Sequence, residues 1–202
     1  LVTRYDIAQQ VLQDFIRRRP ADRIGLVAFS AVPYQVSPLT LNHDWLAQNL
    51  GRLHIGMIRE LGTAIGDAAA LAVKRLSGLK ESKSRIIILL TDGDNNKGEL
   101  DPIPAAEVAR AQGARLYTIG IGKDAPTALP SFDVSTGKLM FDMRGEPVLT
   151  STILQPANYV VLGKMAQLGN GRFYRATNRQ ELESIYDDID RLEKTEVKLR
   201  HH

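Results

Sequence analysis

The sequence predicts an α/β domain: a mostly parallel, doubly wound sheet with helices on both faces. Helical and strand periodicities alternate through nearly all of the 202 residues, the pattern of parallel strands joined by helical crossovers. The run Ile86-Ile87-Ile88-Leu89-Leu90 is continuously apolar, as a central strand buried on both faces should be. The segment opening at Thr63 carries Ala68, Ala69 and Ala72 on one helical face, small enough to pack closely on a sheet.

Each element has its own signal. Ile7, Ala8, Val11, Leu12, Phe15 and Ile16 form a helical stripe, with Asp6 the expected N-cap and Pro20 the stop. Residues 24–29 read as a buried strand, and 34–36 as a short antiparallel edge strand between Pro33 and Pro38, since proline suits edges. Helices are expected over 42–53, with Trp45, Leu46 and Leu50 inward, and over 63–76. The central strand follows over 85–90, then a helix over 104–112 that Gly113 ends, and a strand over 116–121. The chain closes with a helix over 158–168, a strand over 172–175 and an amphipathic helix over 179–192. Ile86, Ile88, Leu90, Leu26, Ile119 and Ile121 are the predicted core. Residues 124–156 break the alternation. Their prolines, glycines and the alternating Lys138-Leu139-Met140-Phe141-Asp142-Met143 predict an inserted β-hairpin turning near Arg144-Gly145. Residues 1–202 are expected to form a single domain.

Composition narrows the function classes. A net charge of +3 is too small to argue for nucleic-acid binding. The one basic cluster, Arg17-Arg18-Arg19, ends a predicted helix, where cations complement the dipole. The absence of cysteine excludes disulfides, thiolate metal sites and cysteine nucleophiles. The longest apolar run is far short of a membrane span. The chain opens at Leu1 with neither methionine nor signal peptide, and is expected to be a piece of a longer protein. His201-His202 read equally as native residues or as a purification tag.

Ligands of open α/β sheets bind beyond the carboxyl ends of the strands. Asp92 follows the central strand in Thr91-Asp92-Gly93-Asp94-Asn95-Asn96, a loop rich in oxygen side chains. Alone, an Asp before Gly is a turn former. Thr63, in Gly62-Thr63-Ala64-Ile65-Gly66-Asp67-Ala68, reads first as a helix N-cap. A hydroxyl and a carboxylate at strand ends also suit magnesium, which wants oxygen ligands and keeps several waters. Other motifs fail. Asp92-x-Asp94-x-Asn96 begins like a calcium loop, but Lys97 replaces its glycine and Ile103 its closing glutamate. Gly120-Ile121-Gly122-Lys123 lacks the first glycine of a phosphate loop. His43 and His54 have neither nucleophile nor metal-ligand spacing, and nothing marks an acid/base pair.

Ile88-Leu89-Leu90-Thr91-Asp92-Gly93 resembles the strand signature of von Willebrand factor type A (VWA) domains, and Gly62 to Ala68 their second metal loop. More narrowly the chain resembles the bacterial aerotolerance (Bat) group. That likeness rests on Asp22-Arg23-Ile24-Gly25-Leu26-Val27-Ala28-Phe29, Ser37-Pro38-Leu39-Thr40-Leu41 and Tyr117-Thr118-Ile119-Gly120-Ile121-Gly122. It rests also on Gly171-Arg172-Phe173-Tyr174-Arg175-Ala176 and Ile189-Asp190-Arg191-Leu192-Glu193-Lys194-Thr195-Glu196.

The resemblance implies a Rossmann-like sheet and a metal-ion-dependent adhesion site (MIDAS) built from three loops. Thr63 matches the threonine of the second loop and Asp92 the aspartate of the third. Asp94, Asn95 and Asn96 are expected to rim the open coordination position. The first loop, Asp-x-Ser-x-Ser after an apolar strand, is absent from residues 1–202; Asp133-Val134-Ser135-Thr136-Gly137 is only a partial match. The first central strand and its loop are therefore expected upstream of Leu1. In the intact domain the implied cofactor is magnesium or manganese, and the implied partner a protein offering an Asp or Glu carboxylate. The Bat likeness further implies a membrane-anchored module on the periplasmic face, working with a MoxR-type AAA+ ATPase in aerotolerance, stress or complex assembly. The competing expectations are a structural VWA-like domain with a non-functional metal site, and a metal-assisted hydrolase, which would need a general base that the sequence does not offer.

Overall fold

Helix and strand alternate in the order that apolar periodicity dictates. The computed structural model describes residues 4–54, 57, 62–78, 84–92, 94–122, 127–131, 140–152 and 156–199. The first half runs α1 (Arg4–Arg17), β1 (Ile24–Phe29), β2 (Pro33–Thr40), α2 (His43–Arg52), α3 (Ile65–Ser77) and β3 (Ile86–Thr91). The second runs α4 (Pro102–Ala111), β4 (Arg115–Ile121), β5 (Thr127–Pro130), β6 (Leu149–Thr152), α5 (Pro156–Leu168), β7 (Phe173–Ala176) and α6 (Arg179–Leu199).

The central sheet is β3-β4-β7, parallel throughout, so all three strands end at one edge. One face carries α3, α4 and α5, where Ile65, Ala69, Ile87, Leu89, Ala106, Leu116, Leu162 and Met165 form the largest core cluster. The other carries α1 and α6, packed through Val11, Tyr117, Ile119, Leu182, Tyr186 and Ile189. This is the doubly wound, mostly parallel α/β architecture expected from the sequence. The antiparallel edge strand is longer than residues 34–36. It takes in Pro33 and Pro38 and pairs with β1 through register irregularities near Leu26.

The sheet is interrupted. The pair β1-β2 is separate from β3-β4-β7. Among the described residues nothing pairs with the β1 edge that faces away from β2, or with the β3 edge that faces away from β4. α3 packs against β1 and β2 as well as β3 and so bridges the two pieces. No residue of β1 is fully buried, despite its sequence Ile-Gly-Leu-Val-Ala-Phe.

That interruption corrects the predicted core. Ile119 is fully buried, and Ile87 and Leu89 are buried almost as well. By contrast Ile86, Ile88, Leu90 and Ile121 are only half-buried against the α1/α6 layer, and Leu26 against α2. Along β1 and β3 the side chains beside the unpaired edge lack the lateral neighbours that would cover them, and Ile121 lies one residue past the last β3 partner of β4. Other boundaries shift too. Asp6 lies within the first turn of α1 rather than before it. Trp45 stays 41% exposed while Leu46 and Leu50 of α2 are buried. α6 continues to Leu199.

That extension of α6 has a physical anchor. Glu193 is 3% exposed. Its Oε1 accepts hydrogen bonds from the Tyr117 hydroxyl at 2.7 Å and from Arg115 Nη1 at 2.8 Å. Burial first, and the bond to Glu193 second, push the Tyr117 hydroxyl up to about 12. A buried carboxylate met by a guanidinium and a hydroxyl is satisfied rather than stranded. Within 124–156, β5 pairs antiparallel with β6, and Phe141 bridges Pro147 around a turn that Gly145 closes at φ 78°. Asp133 to Gly137 and His201-His202 lie outside the described residues.

Candidate metal-binding site

The carboxyl ends of β1 and β3 meet at the start of α3. The Ala64 N–H donates to the Ser30 carbonyl at 2.7 Å, tying α3 to the residue after β1. The Thr63 carbonyl accepts from the Asn96 and Lys97 N–H groups at 3.1 and 3.2 Å, tying it to the loop after β3. Gly62 makes this approach possible. Its φ is 131°, and a Cβ there would sit 2.3 Å from Lys97 Cγ. Gly66 permits a second close approach further along, where a Cβ would stand 1.9 Å from the Leu100 carbonyl oxygen. The neighbouring Asp67 then grips that loop, accepting from the N–H groups of Glu99 and Leu100, the latter at 2.8 Å.

Thr63 is not the N-cap of α3. The helix begins at Ile65 and its N-cap is Ala64, which has no side chain able to cap. The capping oxygen arrives from across the sheet edge: Asn95 Oδ1 accepts from the Ile65 N–H at 2.8 Å. Asn96 Oδ1 accepts from the Thr63 N–H at 2.9 Å. The oxygens of Asn95 and Asn96 thus brace the α3 start. Sequence reasoning missed this bracing, although two asparagines behind a strand-exit aspartate could have suggested it, since Asn commonly satisfies orphan helix N–H groups.

That bracing leaves the Thr63 hydroxyl and the Asp92 carboxylate uncommitted. The Thr63 hydroxyl is half-buried and the Asp92 carboxylate exposed, and neither has a hydrogen-bond or ion-pair partner among the described residues. Asp94 stands beside them half-buried, and burial pushes its carboxyl above the usual range. Hard oxygen donors of this kind suit magnesium or manganese rather than a thiolate-seeking metal. Two protein donors are a partial set for an ion that wants six ligands. Among the described residues no three His, Cys, Asp or Glu side chains gather as a metal cluster. His43 Nε2 lies 2.8 Å from the Asp22 carbonyl, and His54 Nδ1 lies 3.2 Å from that of Arg52. Both histidines serve local backbone contacts.

Comparison with known proteins places the fold. The family model described as von Willebrand factor type A domain matches residues 2–188. An uncharacterized protein of Borreliella burgdorferi is 25% identical over 197 residues, covering 98% of this chain. The chain spans about half the length of the curated relatives it matches, 54% of that one. Among solved structures, BatB from Bacteroides thetaiotaomicron superposes with a TM-score of 0.76 at 23% identity, over 95% of this chain and 89% of that one. An aerotolerance-related membrane protein from Bacteroides fragilis gives 0.73 at 22% identity, over 92% and 87%. Proximal thread matrix protein 1 of the mussel byssus, with a zinc-occupied MIDAS motif, gives 0.64 at 17% identity, over 91% and 41%. Likenesses at these identities show the fold.

Proposed function

Because the chain belongs to the von Willebrand factor type A domain family, we propose that it is a metal-ion-dependent protein-binding module in which Thr63 and Asp92 contribute to one magnesium or manganese site. The observation that carries this reading is the release of the Thr63 hydroxyl. Asn95 does the capping that a threonine at a helix start would ordinarily do. Asp92, at the exit of β3, has no partner among the described residues to hold it elsewhere. The zinc-occupied MIDAS of the mussel protein, on the same fold, supports a divalent cation at these strand ends.

The remaining donors, in this reading, come from a strand and loop outside residues 1–202. The strand would fill the interruption between β1 and β3, and its loop would bring hydroxyls to the edge where Thr63 and Asp92 stand. When bound, the metal supplies an electrophilic centre for a carboxylate oxygen. The chain's own residues do the rest. Thr63 offers its hydroxyl, Asp92 holds charge at the strand exit, Asn95 and Asn96 fix the distance between the loops, and Asp94 adds charge at the rim. The partner is a protein presenting an Asp or Glu side chain, and the chemistry is association rather than turnover.

We further propose a membrane-anchored setting on the periplasmic face, in an assembly or stress role alongside a MoxR-type AAA+ ATPase. Its support is the likeness to the aerotolerance-related membrane protein. Among the described residues no helix is long and apolar enough to cross a membrane, so any anchor would lie elsewhere. The test is affinity capture on the full-length protein with magnesium or with chelator, wild type against Asp92→Ala. A shared set of proteins that leaves with the metal and with Asp92 supports the reading. A set indifferent to both refutes it.

A further inference from the structure

From a cavity beside the proposed metal loops, we infer that the protein partner also inserts a lysine side chain between α3, α4 and α5. This deepens the metal-dependent reading and rests on it for the partner being a protein. The cavity, of about 270 Å³, has walls of Ile65, Pro102, Ile103 and Val161 and a polar lip of Asn95 and Asp101. Asn95 belongs to the same Asp92-to-Asn96 loop that braces Thr63, so one partner segment can span both features.

The chemistry of the walls and lip selects the occupant. The walls are aliphatic, so they favour a stem of methylenes. Asp101 begins α4 as its N-cap residue, yet its carboxylate makes no capping hydrogen bond. Among the described residues that carboxylate has no other partner, and it is exposed at the mouth of the cavity. A purely apolar side chain would fill the trough but leave the exposed carboxylate unpaired. Lysine satisfies both, laying its stem on the walls with its ammonium at the lip. The segment that leads from β3 to α4 agrees in sign: residues 92–101 carry Asp92, Asp94, Glu99 and Asp101 against Lys97. Asn95 Oδ1 is held by the Ile65 N–H, which leaves its Nδ2 to donate to a carbonyl of the incoming segment. The recognised surface therefore pairs an acidic side chain for the metal with a lysine for the cavity.

The experiment uses the full-length protein with labelled isoleucine and valine methyl groups, titrated with Nα-acetyl-lysine methylamide or Nα-acetyl-norleucine methylamide and read by NMR. The expected result is movement of the Ile103 and Val161 methyl signals, with the lysine probe binding about two- to five-fold more tightly, the range of an exposed ion pair. Asp101→Asn should erase that preference, Asp101→Glu should restore it, and Val161→Trp should block both probes while the circular dichroism spectrum is retained. Equal affinity for the two probes, or no movement of these methyls with either, overturns the inference. Both titrations are run with magnesium and with chelator. A lysine preference that persists when magnesium fails to bind counts against the metal reading alone. Magnesium binding without a lysine preference counts against this inference alone.

Discussion

Replacing Glu193 by alanine takes one carboxylate from the buried Tyr117 and the half-buried Arg115 at once. Its side chain is 4% exposed and that of Arg115 13%, and Tyr117 is 2% exposed. Breaking a buried ion pair from one side costs about 3–5 kcal/mol, because the remaining charge keeps its desolvation penalty. Arg115 keeps some contact with water, which places the expected loss near the lower end, about 3 kcal/mol. A domain of this kind has about 5–15 kcal/mol in total, so the variant should fold yet unfold early. Glu193→Gln keeps the shape and an acceptor and should lose only about 1–2 kcal/mol. Urea unfolding measures both, with an unchanged slope required for the comparison. Tyr117 gives a second signal: without the carboxylate, its hydroxyl should titrate lower in Glu193→Gln than in the wild type, read by ultraviolet absorbance. A loss below about 1 kcal/mol for Glu193→Ala, the scale of an ordinary hydrogen bond, would show that Glu193 does not anchor α6.

Three further outcomes are expected. Leu89→Ala should cost about 2–5 kcal/mol through cavity formation, because Leu89 is 5% exposed in the strand beneath α3; an unchanged denaturation midpoint would contradict its central place. Asn95→Ala should lower stability by about 1 kcal/mol, as loss of a helix cap does, and should weaken magnesium binding although Asn95 offers the metal no ligand; unaltered magnesium affinity would show that its bracing of Ile65 does not position Thr63. Alkaline pH should destabilise the fold. Tyr117 is raised from its ordinary 10.0 to about 12, so the unfolded chain releases its proton first. The stabilisation is complete below pH 10 and is lost as pH rises towards 12, at most about 2.7 kcal/mol from this group; flat stability across that window would refute the assigned environment.

Much of the fold was legible because its signals are local. The apolar run from Ile86 to Leu90, the small-residue face from Ala68 to Ala72 and the glycine-ended helix before β4 each specify an element without reference to the rest. The motif from Gly62 to Asp67 was legible as a pattern, but its physical meaning needed coordinates: two glycines for close approach and an aspartate that grips the Glu99-Leu100 backbone. What could not be read was long-range. The burial of Ile88 and Leu26 depends on whether a neighbouring strand covers them, which periodicity does not report. Trp45 was expected to share one helical face with Leu46 and Leu50, yet the cluster that α1 covers takes in only Leu46 and Leu50 of these three. Thr63 and Asp92 were proposed as donors from their places at a helix start and a strand exit. The bracing by Asn95 and Asn96 was missed because it joins residues about thirty positions apart.

The central claim is that Thr63 and Asp92 help to hold one hard divalent cation. Calorimetric titration of magnesium into the full-length soluble domain tests it most directly, with wild type compared with Asp92→Ala and Thr63→Ala. The account predicts one site in the wild type, strongly weakened in both variants, with circular dichroism unchanged because neither side chain supports the core. It predicts weak binding by residues 1–202 alone, since two protein donors fill only part of the shell. Equal magnesium affinity in all three full-length proteins would contradict it.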